Sequence, residues 1–429
     1  MRWLSGSVEE LSKEIRQEQE QLNENNEVIE RQVREIIDRV RREQDAALFD
    51  YTKQFDGVEI SSLEVSEETI NQAFEQIEPS VLEALEKATE NIISYHERQK
   101  ELGFVDFPKE GIIRGQKIEP IEKVAVYVPG GTAAYPSSVL MNVLPAKIAG
   151  VSQIIMLTPP PKDENFIPAI LVAARLSGVN KIYQVGGAQG IAAAAYGTQT
   201  IPKVDKIVGP GNAYVATAKK QVFGQVGIDM IAGPSEIGVI ADETANPAFV
   251  AADLLSQAEH DTLSRSILVT NSEKFGKEVE KEINKQLTKL TRESIARESI
   301  DNQGLVIVAE KFDEMFELMN EVAPEHLEIA LENSLDYLGK IKNAGSVFLG
   351  HYTTEPIGDY FAGSNHVLPT SGTARFSSAL GVHDFVKRIQ YIHYTQEALE
   401  QDKEYIKTLA YQEGLDGHAK SVEVREEDN

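Results

Sequence analysis

The sequence predicts an α/β protein of two domains, each a mostly parallel sheet with helices on its faces. Three observations carry that reading. From Val124 onward, short β-branched runs alternate with helices rich in small residues, the pattern of strand–helix–strand units. The alternation resumes after Gly233-Pro234-Ser235, near the junction where the chain returns to the first domain. At 429 residues the chain is also too long for a single compact core.

The N-terminal stretch reads as helical. Ser7 and Glu10 form a capping-box pair, and Ile29, Val33, Ile36, Ile37 and Val40 recur at helical spacing up to the break at Gly57. A second helical pattern covers roughly 67–102, with a break at Pro79. Strands follow at 124–128, 153–157, 181–185 and 206–208, with helices near 138–150, 166–177, 188–196 and 213–223. Beyond Pro234 come a strand at 237–241, a helix at 247–258, a strand at 266–269 and a helix at 272–287. A third set lies at 305–308, 311–322 and 347–349. The last fifty residues are expected to be helical, with a frayed, solvated tail at 424–429. The expected organisation is a helical arm at 1–25, a discontinuous α/β domain at 26–123 and 235–380, a second α/β domain at 124–234, and a helical appendage at 381–429.

The formal charge of −26, from 42 Lys and Arg against 68 Asp and Glu, argues against a nucleic-acid binder and against docking on anionic lipid. No run approaches the length of a membrane span, and the start, Met1-Arg2-Trp3-Leu4-Ser5-Gly6, lacks the apolar core of a secretory signal. Absence of cysteine fits a reducing cytosol, so a cytoplasmic location is expected. It also excludes thiolate chemistry, so any metal must be held by imidazole and oxygen ligands.

Three glycine-rich turns follow strands in the middle of the chain: Pro129-Gly130-Gly131-Thr132, Gly186-Gly187-Ala188-Gln189-Gly190 and Gly209-Pro210-Gly211-Asn212. Glycine between strand and helix lets a ligand approach the backbone, and the helix N-terminus offers N–H donors to an anion. A single such turn would favour a plain tight connection; three in succession favour a phosphate-bearing ligand. None matches G-x-G-x-x-G, so the standard dinucleotide fingerprint is absent.

The eight histidines fall among a few polar segments. Gln257 and His260 lie three apart at the end of a helical pattern and share a face, a spacing that more often marks a solvated surface than a metal half-site. Asp359, between glycine and tyrosine, and His418, after another glycine, sit in loops where functional side chains concentrate. One amide oxygen, two imidazoles and one carboxylate suit zinc or manganese. Pro324-Glu325-His326 places a carboxylate beside an imidazole; an acid–base pair in an irregular loop and a solvated helix-ending turn stand level as readings. His366, beside Asn365, stands equally between a ligand contact and a structural hydrogen bond. His96 and His393 read as structural, and His351 and His383 belong to no constellation.

Together these segments resemble the histidinol dehydrogenase family, which carries out the last two steps of histidine biosynthesis. The resemblance covers nearly the whole chain. It is densest at Tyr127-Val128-Pro129-Gly130-Gly131, Val208-Gly209-Pro210-Gly211-Asn212, Gly233-Pro234-Ser235-Glu236, Ser256-Gln257-Ala258-Glu259-His260-Asp261 and Ala323-Pro324-Glu325-His326-Leu327-Glu328. It implies two incomplete Rossmann-like domains and oxidation of L-histidinol to L-histidine with two NAD, through an aldehyde that stays bound. Carried onto matching positions, it implies Gln257, His260, Asp359 and His418 as ligands of one Zn2+ per subunit. Glu325 and His326 would be the acid–base pair. Ser235, His366 and Glu413 would help hold substrate, which also meets the zinc ligands and His326. Tyr127, Gln189 and Asn212 would lie against NAD. It further implies an intertwined homodimer in which Glu413 and His418 reach the site of the partner chain.

Residue chemistry agrees with this. Many aldehyde-oxidising enzymes use a cysteine thiolate to form the adduct that gives up the second hydride. This chain has none, so water must add, giving a gem-diol, with Glu325 as the carboxylate placed to activate it. Rival readings are a relative that oxidises another small alcohol and a zinc-dependent hydrolase that would form no NADH. A non-catalytic metal-binding module ranks last, since it would not need three glycine-rich turns.

Overall fold

The computed structural model describes residues 1–429 except 23–26, 131–134, 163–164, 232 and 426–429. Gly131 and Thr132 of the first glycine turn, and the acidic end of the tail, therefore lie outside the described residues. Two units are distinguished: Met1–Gln99 with Ile121–Phe385, and Lys100–Pro120 with Val386–Asn429.

The first unit contains two wholly parallel sheets with helices on both faces, the α/β class that the alternation predicts. One has five strands in the order Lys181–Gln184, Gln153–Thr158, Lys123–Tyr127, Lys206–Val208, Gly227–Ile228. Its inner strands are buried on both sides, which is why they read as continuous apolar runs. Along Lys123–Tyr127 the side chains alternate between two cores. Val124 and Val126 pack with Pro136–Ala149, Pro168–Ser177 and the helices Glu67–Gln76 and Pro79–His96. Ala125 and Tyr127 pack with Gly187–Tyr196, Ala213–Val222 and the apolar stripe Val33, Ile36, Ile37 and Val40 of Glu27–Glu43. Residues 26–123 were expected to group with 235–380; the helices between Glu27 and His96 pack on the five-stranded sheet.

The second sheet has six strands: Arg2–Ser5, Leu305–Val308, Arg265–Thr270, Glu236–Ala241, His326–Ala330, Ser346–Leu349. Pro247–Ala258 and Glu273–Leu287 cover one face, Val8–Leu22 and Phe312–Val322 the other. The arm is helical from Val8, with Ser7 and Glu10 making the reciprocal capping bonds. Its first residues differ from expectation: Arg2–Ser5 is an edge strand paired in parallel with Leu305–Val308. Four residues are too few for periodicity to report a strand.

The second unit holds an antiparallel sheet in the order Val386–Tyr394, Ile112–Pro120, Phe104–Asp106, followed by the helices Gln396–Gln412 and Asp416–Glu423. The helical C-terminal region is thus preceded by a nine-residue strand that the helical reading of the last fifty residues passes over. Its composition, Val-Lys-Arg-Ile-Gln-Tyr-Ile-His-Tyr, is β-branched and aromatic, but both of its faces are largely exposed, so no buried stripe sets a period of two.

Candidate active site

In a parallel sheet, a helix that leaves the carboxyl end of one strand runs back and ends near the amino edge of the next. Pro247–Ala258 follows Glu236–Ala241 in this way, so its last turn arrives where Glu236 and His326 begin their paired strands. The strand order fans out in opposite directions on either side of that pair. The site is assembled at this amino edge.

Glu325 and His326 are not in an irregular loop: Glu325 immediately precedes the strand His326–Ala330, and both side chains are buried. The backbone of Glu236 holds them. Its N–H donates to Glu325 Oε2 at 2.9 Å, and its carbonyl accepts from His326 Nδ1 at 3.2 Å. That bond fixes the tautomer and leaves His326 Nε2 facing Asp359 Oδ1 at 3.4 Å and Glu355 Oε1 at 3.8 Å. Asp359 lies in the short helix Glu355–Tyr360, where a loop was expected. Its carbonyl accepts from His366 Nδ1 at 3.0 Å, while His366 Nε2 meets Ser138 Oγ at 3.2 Å. Asn365 beside it is anchored to the Met141 carbonyl, and His96 is buried against Gln99 as a structural histidine.

The electrostatics are those of an acid-rich pocket. Burial pushes the Glu325 carboxyl up to about 7. Burial opposes charge on His326, but Glu325, Asp359 and Glu355 outweigh it and lift the imidazole to about 10. Burial also works against the Asp359 carboxylate, yet the hydrogen bond from His326 and the charge of His366 hold it down at about 2. Glu355 rises to about 8 through burial and its proximity to Asp359. Behind it Glu328 rises to about 9 through burial and the adjacent Asp253, and accepts the Glu355 N–H at 2.7 Å. Burial lowers His260 and His366 below their ordinary value.

His326, Glu355 and Asp359 bring ligating atoms within 4.8 Å of one another, a cluster suited to a metal ion and consistent with zinc. Two further observations fit a bound cation. Gln257 is completely buried, yet neither amide atom has a hydrogen-bond partner. Such groups cost on the order of 1–3 kcal/mol each when nothing meets them. Three carboxyls also surround one imidazole, and a divalent cation there would favour their ionised forms. The helix carrying Gln257 ends at Ala258, so His260 lies in the turn beyond it, its N–H on the Gln257 carbonyl and its ring within electrostatic reach of Asp359 and His326. Ser235 is half-buried next to Glu236. Glu413, the C-cap of Gln396–Gln412, and His418, within Asp416–Glu423, are exposed in the second unit.

Sequence reasoning missed Glu355 and the roles of Glu236 and Ser138. The available signal was an acid at the head of an apolar strand: Glu236 opens a run whose six residues are all buried.

The five-stranded sheet carries a separate cleft of about 1420 Å³ at the carboxyl ends of its strands. Tyr127, Gln189 and Asn212 all line it, with Pro129, Gly130, Gly187 and Tyr214. Tyr127 OH accepts the Gly187 N–H at 3.0 Å, and Asn212 caps the helix Ala213–Val222. Gly209 has φ +110°, and a Cβ there would run into the Tyr127 carbonyl oxygen. Its N–H donates to Asp229 at 2.8 Å and its carbonyl accepts from Lys219 at 2.9 Å, while these two buried side chains pair with each other. The strand order again reverses here, between Lys123–Tyr127 and Lys206–Val208.

Fold and site together define a class: a cysteine-free, Rossmann-like oxidoreductase with a dinucleotide-sized cleft on one sheet and a carboxylate–imidazole metal cluster on the other. Comparison with known proteins gives the particular family. The histidinol dehydrogenase family model matches residues 18–426. The chain is 63% identical to a histidinol dehydrogenase of Streptococcus mutans and 60% identical to one of Listeria monocytogenes, each over 100% of both chains. A crystal structure of histidinol dehydrogenase from Elizabethkingia anophelis superposes with a TM-score of 0.94 at 39% identity, covering 100% of this chain and 98% of that one. The chain belongs to the histidinol dehydrogenase family and is an NAD-dependent enzyme of that family.

Proposed function

We propose that the chain oxidises L-histidinol to L-histidine in two NAD-linked steps at the amino edge of the six-stranded sheet, with the intermediate aldehyde held between them. The observation that carries this is the Glu325–His326 pair gripped on one backbone unit and facing Asp359 and Glu355. The balanced reaction is R–CH2OH + 2 NAD⁺ + H2O → R–COO⁻ + 2 NADH + 3 H⁺.

Gln257, His260 and Asp359, joined by the partner subunit's His418, are the residues that would hold zinc. Zinc in that position supplies orientation of the substrate's imidazole and amino nitrogens and polarisation of its hydroxyl. Tyr127, Gln189 and Asn212 would hold NAD in the cleft they line, where it would supply the hydride acceptor for each step. His326 takes the hydroxyl proton at Nε2, with Nδ1 anchored on the Glu236 carbonyl so that the ring cannot turn away. A cation held by Asp359 would offset the charge that keeps His326 protonated, leaving Nε2 to act as the base. Glu325, raised toward neutrality by burial, takes a proton from water as the water adds to the aldehyde carbon, giving the gem-diol that yields the second hydride. Ser235, His366 and the partner subunit's Glu413 hold the polar ends of the substrate.

Exposure of Glu413 and His418 supports a homodimer in which each chain completes its partner's site. Among the described residues no helix is long and apolar enough to cross a membrane, and the cysteine-free composition supports the cytoplasm as the working compartment. The deciding experiment is stoichiometry with purified protein. Two NADH per histidinol consumed, with histidine as product, is expected; one NADH with release of the aldehyde overturns the two-step reading.

A further inference from the structure

One residue outside the acid–base pair touches both of its members. Glu236 donates its N–H to Glu325 and accepts from His326 on its carbonyl, so a rotation of that single peptide segment would displace both groups together. Its side chain is tied down from the other side. Glu236 is 1% exposed, and its two oxygens are divided between Arg265, whose Nη1 donates to Oε1 at 3.1 Å, and the Ser371 N–H, which donates to Oε2 at 3.0 Å.

Both partners are themselves fixed. Arg265 is 4% exposed, and its other nitrogen reaches Glu18 Oε2 at 3.3 Å, while its backbone N–H donates to the Ser235 carbonyl at 2.9 Å. Ser371 holds φ +54°, a left-handed conformation that a non-glycine residue adopts only where its surroundings impose it. Its neighbour Thr370 accepts the Gly233 N–H at 2.6 Å, so segment 370–371 clamps segment 233–236 at two points. A buried carboxylate needs partners for both oxygens, but it does not need a strained backbone to provide one. The strain is explained if the exact placement of residue 236 matters to the reaction.

We propose that Glu236, locked by Arg265 and the strained Ser371 peptide, is the positioning residue for the general acid–base pair, setting Glu325 and His326 in mutual register for both oxidations. It touches neither substrate nor cofactor and acts only through the two groups its backbone holds. Displacements approaching 1 Å in catalytic groups cost on the order of 10²-fold in rate, so the lock has a measurable consequence.

The proposal rests on the assignment of Glu325 and His326 as the acid–base pair, and the test separates the two. Zinc-loaded Glu236→Ala and Glu236→Gln are compared with Glu325→Gln and His326→Asn in steady-state assays and single turnovers with histidinol and histidinal. Removing the anchor in Glu236→Ala should lower kcat by roughly 10–100-fold for both half-reactions. Bound zinc should stay within about twofold of the wild type, because the hydrogen bonds of Glu236 tie it to Glu325, Arg265, His326 and Ser371 and to none of the proposed zinc ligands. The KM for NAD should do the same because the other sheet is untouched. Glu236→Gln keeps an oxygen for the Ser371 N–H but loses the charge on Arg265, so it should recover part of the rate, leaving a loss of roughly 3–10-fold. Full kcat in folded, zinc-loaded Glu236→Ala overturns the proposal, as does a parallel fall of kcat, zinc content and NAD affinity, which marks general loss of structure. If Glu236→Ala does not fold, Glu236→Gln is read alone: the stated loss at constant zinc and NAD KM supports the positioning role, and unchanged kcat overturns it. Near-normal rates in Glu325→Gln and His326→Asn would instead remove the underlying acid–base assignment.

Discussion

The two parallel sheets of the first unit put function at opposite edges. On the five-stranded sheet, Tyr127, Gln189 and Asn212 lie at or beyond the carboxyl ends of strands, beside the reversal of strand order. This is where open α/β sheets ordinarily bind ligands, since backbone N–H groups and helix N-termini converge there. On the six-stranded sheet, Glu236, Glu325 and His326 sit at the amino ends of two paired strands, and Gln257 arrives on the last turn of a returning helix. Helix C-termini present carbonyls, not N–H donors, so this edge suits a cation and the amine-bearing end of a substrate. In the proposed assignment, the carboxyl edge takes the cofactor's phosphates and the amino edge takes the metal.

The sharpest way to break this comparison is at the amino edge. His326→Asn should lower kcat on the order of 10²–10⁴-fold in both half-reactions while leaving NADH affinity, measured by fluorescence titration, unchanged. A large loss of NADH affinity would mean that the two edges are not separate sites. Chelation should abolish turnover just as fully, yet move the melting temperature little, because the ligands join a core that is complete without them. A chelated protein that unfolds cooperatively at far lower temperature would make the cation structural.

Glu325→Gln should divide the two half-reactions. Oxidation of supplied histidinal should fall on the order of 10²-fold or more, while a first hydride transfer from histidinol survives in part, as followed in single turnovers. Equal loss in both would recast Glu325 as a group that only holds the site.

The reciprocal test is at the carboxyl edge. Gly209→Ala places a side chain against the Tyr127 carbonyl at φ +110°. It should cost about 1–3 kcal/mol of stability and raise the KM for NAD several-fold, with zinc content unchanged by elemental analysis. Loss of zinc in this variant would show the edges to be coupled.

The smallest expected effect is a pH dependence behind the metal cluster. Glu328 is raised to about 9, so in the metal-free protein its contribution to stability is fully present below its ordinary value near 4.5 and is lost as pH rises through 9. Glu328→Gln carries no such proton, so the difference in melting temperature between this variant and the wild type should move in the variant's favour from pH 5 to pH 9. A difference that stays flat or moves the other way would mean that Glu328 is ionised throughout.

How much of this was legible in the sequence differs between the edges for the same reason. Strand–glycine–helix is a local pattern, so Gly186-Gly187 and Gly209-Pro210-Gly211 announce a ligand turn within a few residues, and the residues implied for NAD fall in one cleft. The amino-edge site draws on positions 236, 257, 325, 355 and 359, which no short window contains. Glu325-His326 looked equally like a helix-ending turn, because nothing nearby in sequence says that the backbone N–H and carbonyl of residue 236 will hold both side chains. Gln257 and His260 looked like a solvated helix face, and only packing shows that Gln257 is buried without partners.

The sequence by itself determined the class of chemistry and the α/β architecture. Absence of cysteine removes a thiolate route whatever the fold, and apolar runs of strand length alternating with small-residue helices have few other ways to bury their surface. Only the tertiary structure decided which polar groups act. The strand pairing of Glu236–Ala241 with His326–Ala330 brings together residues ninety positions apart. Burial and the facing charges then set their protonation: His326 and His366 hold Asp359 near 2 against its burial, while burial lifts Glu325 to about 7 and Glu355 to about 8. A carboxylate's role depends on its dielectric surroundings and on the charges it faces, and long-range packing, not spacing along the chain, supplies both.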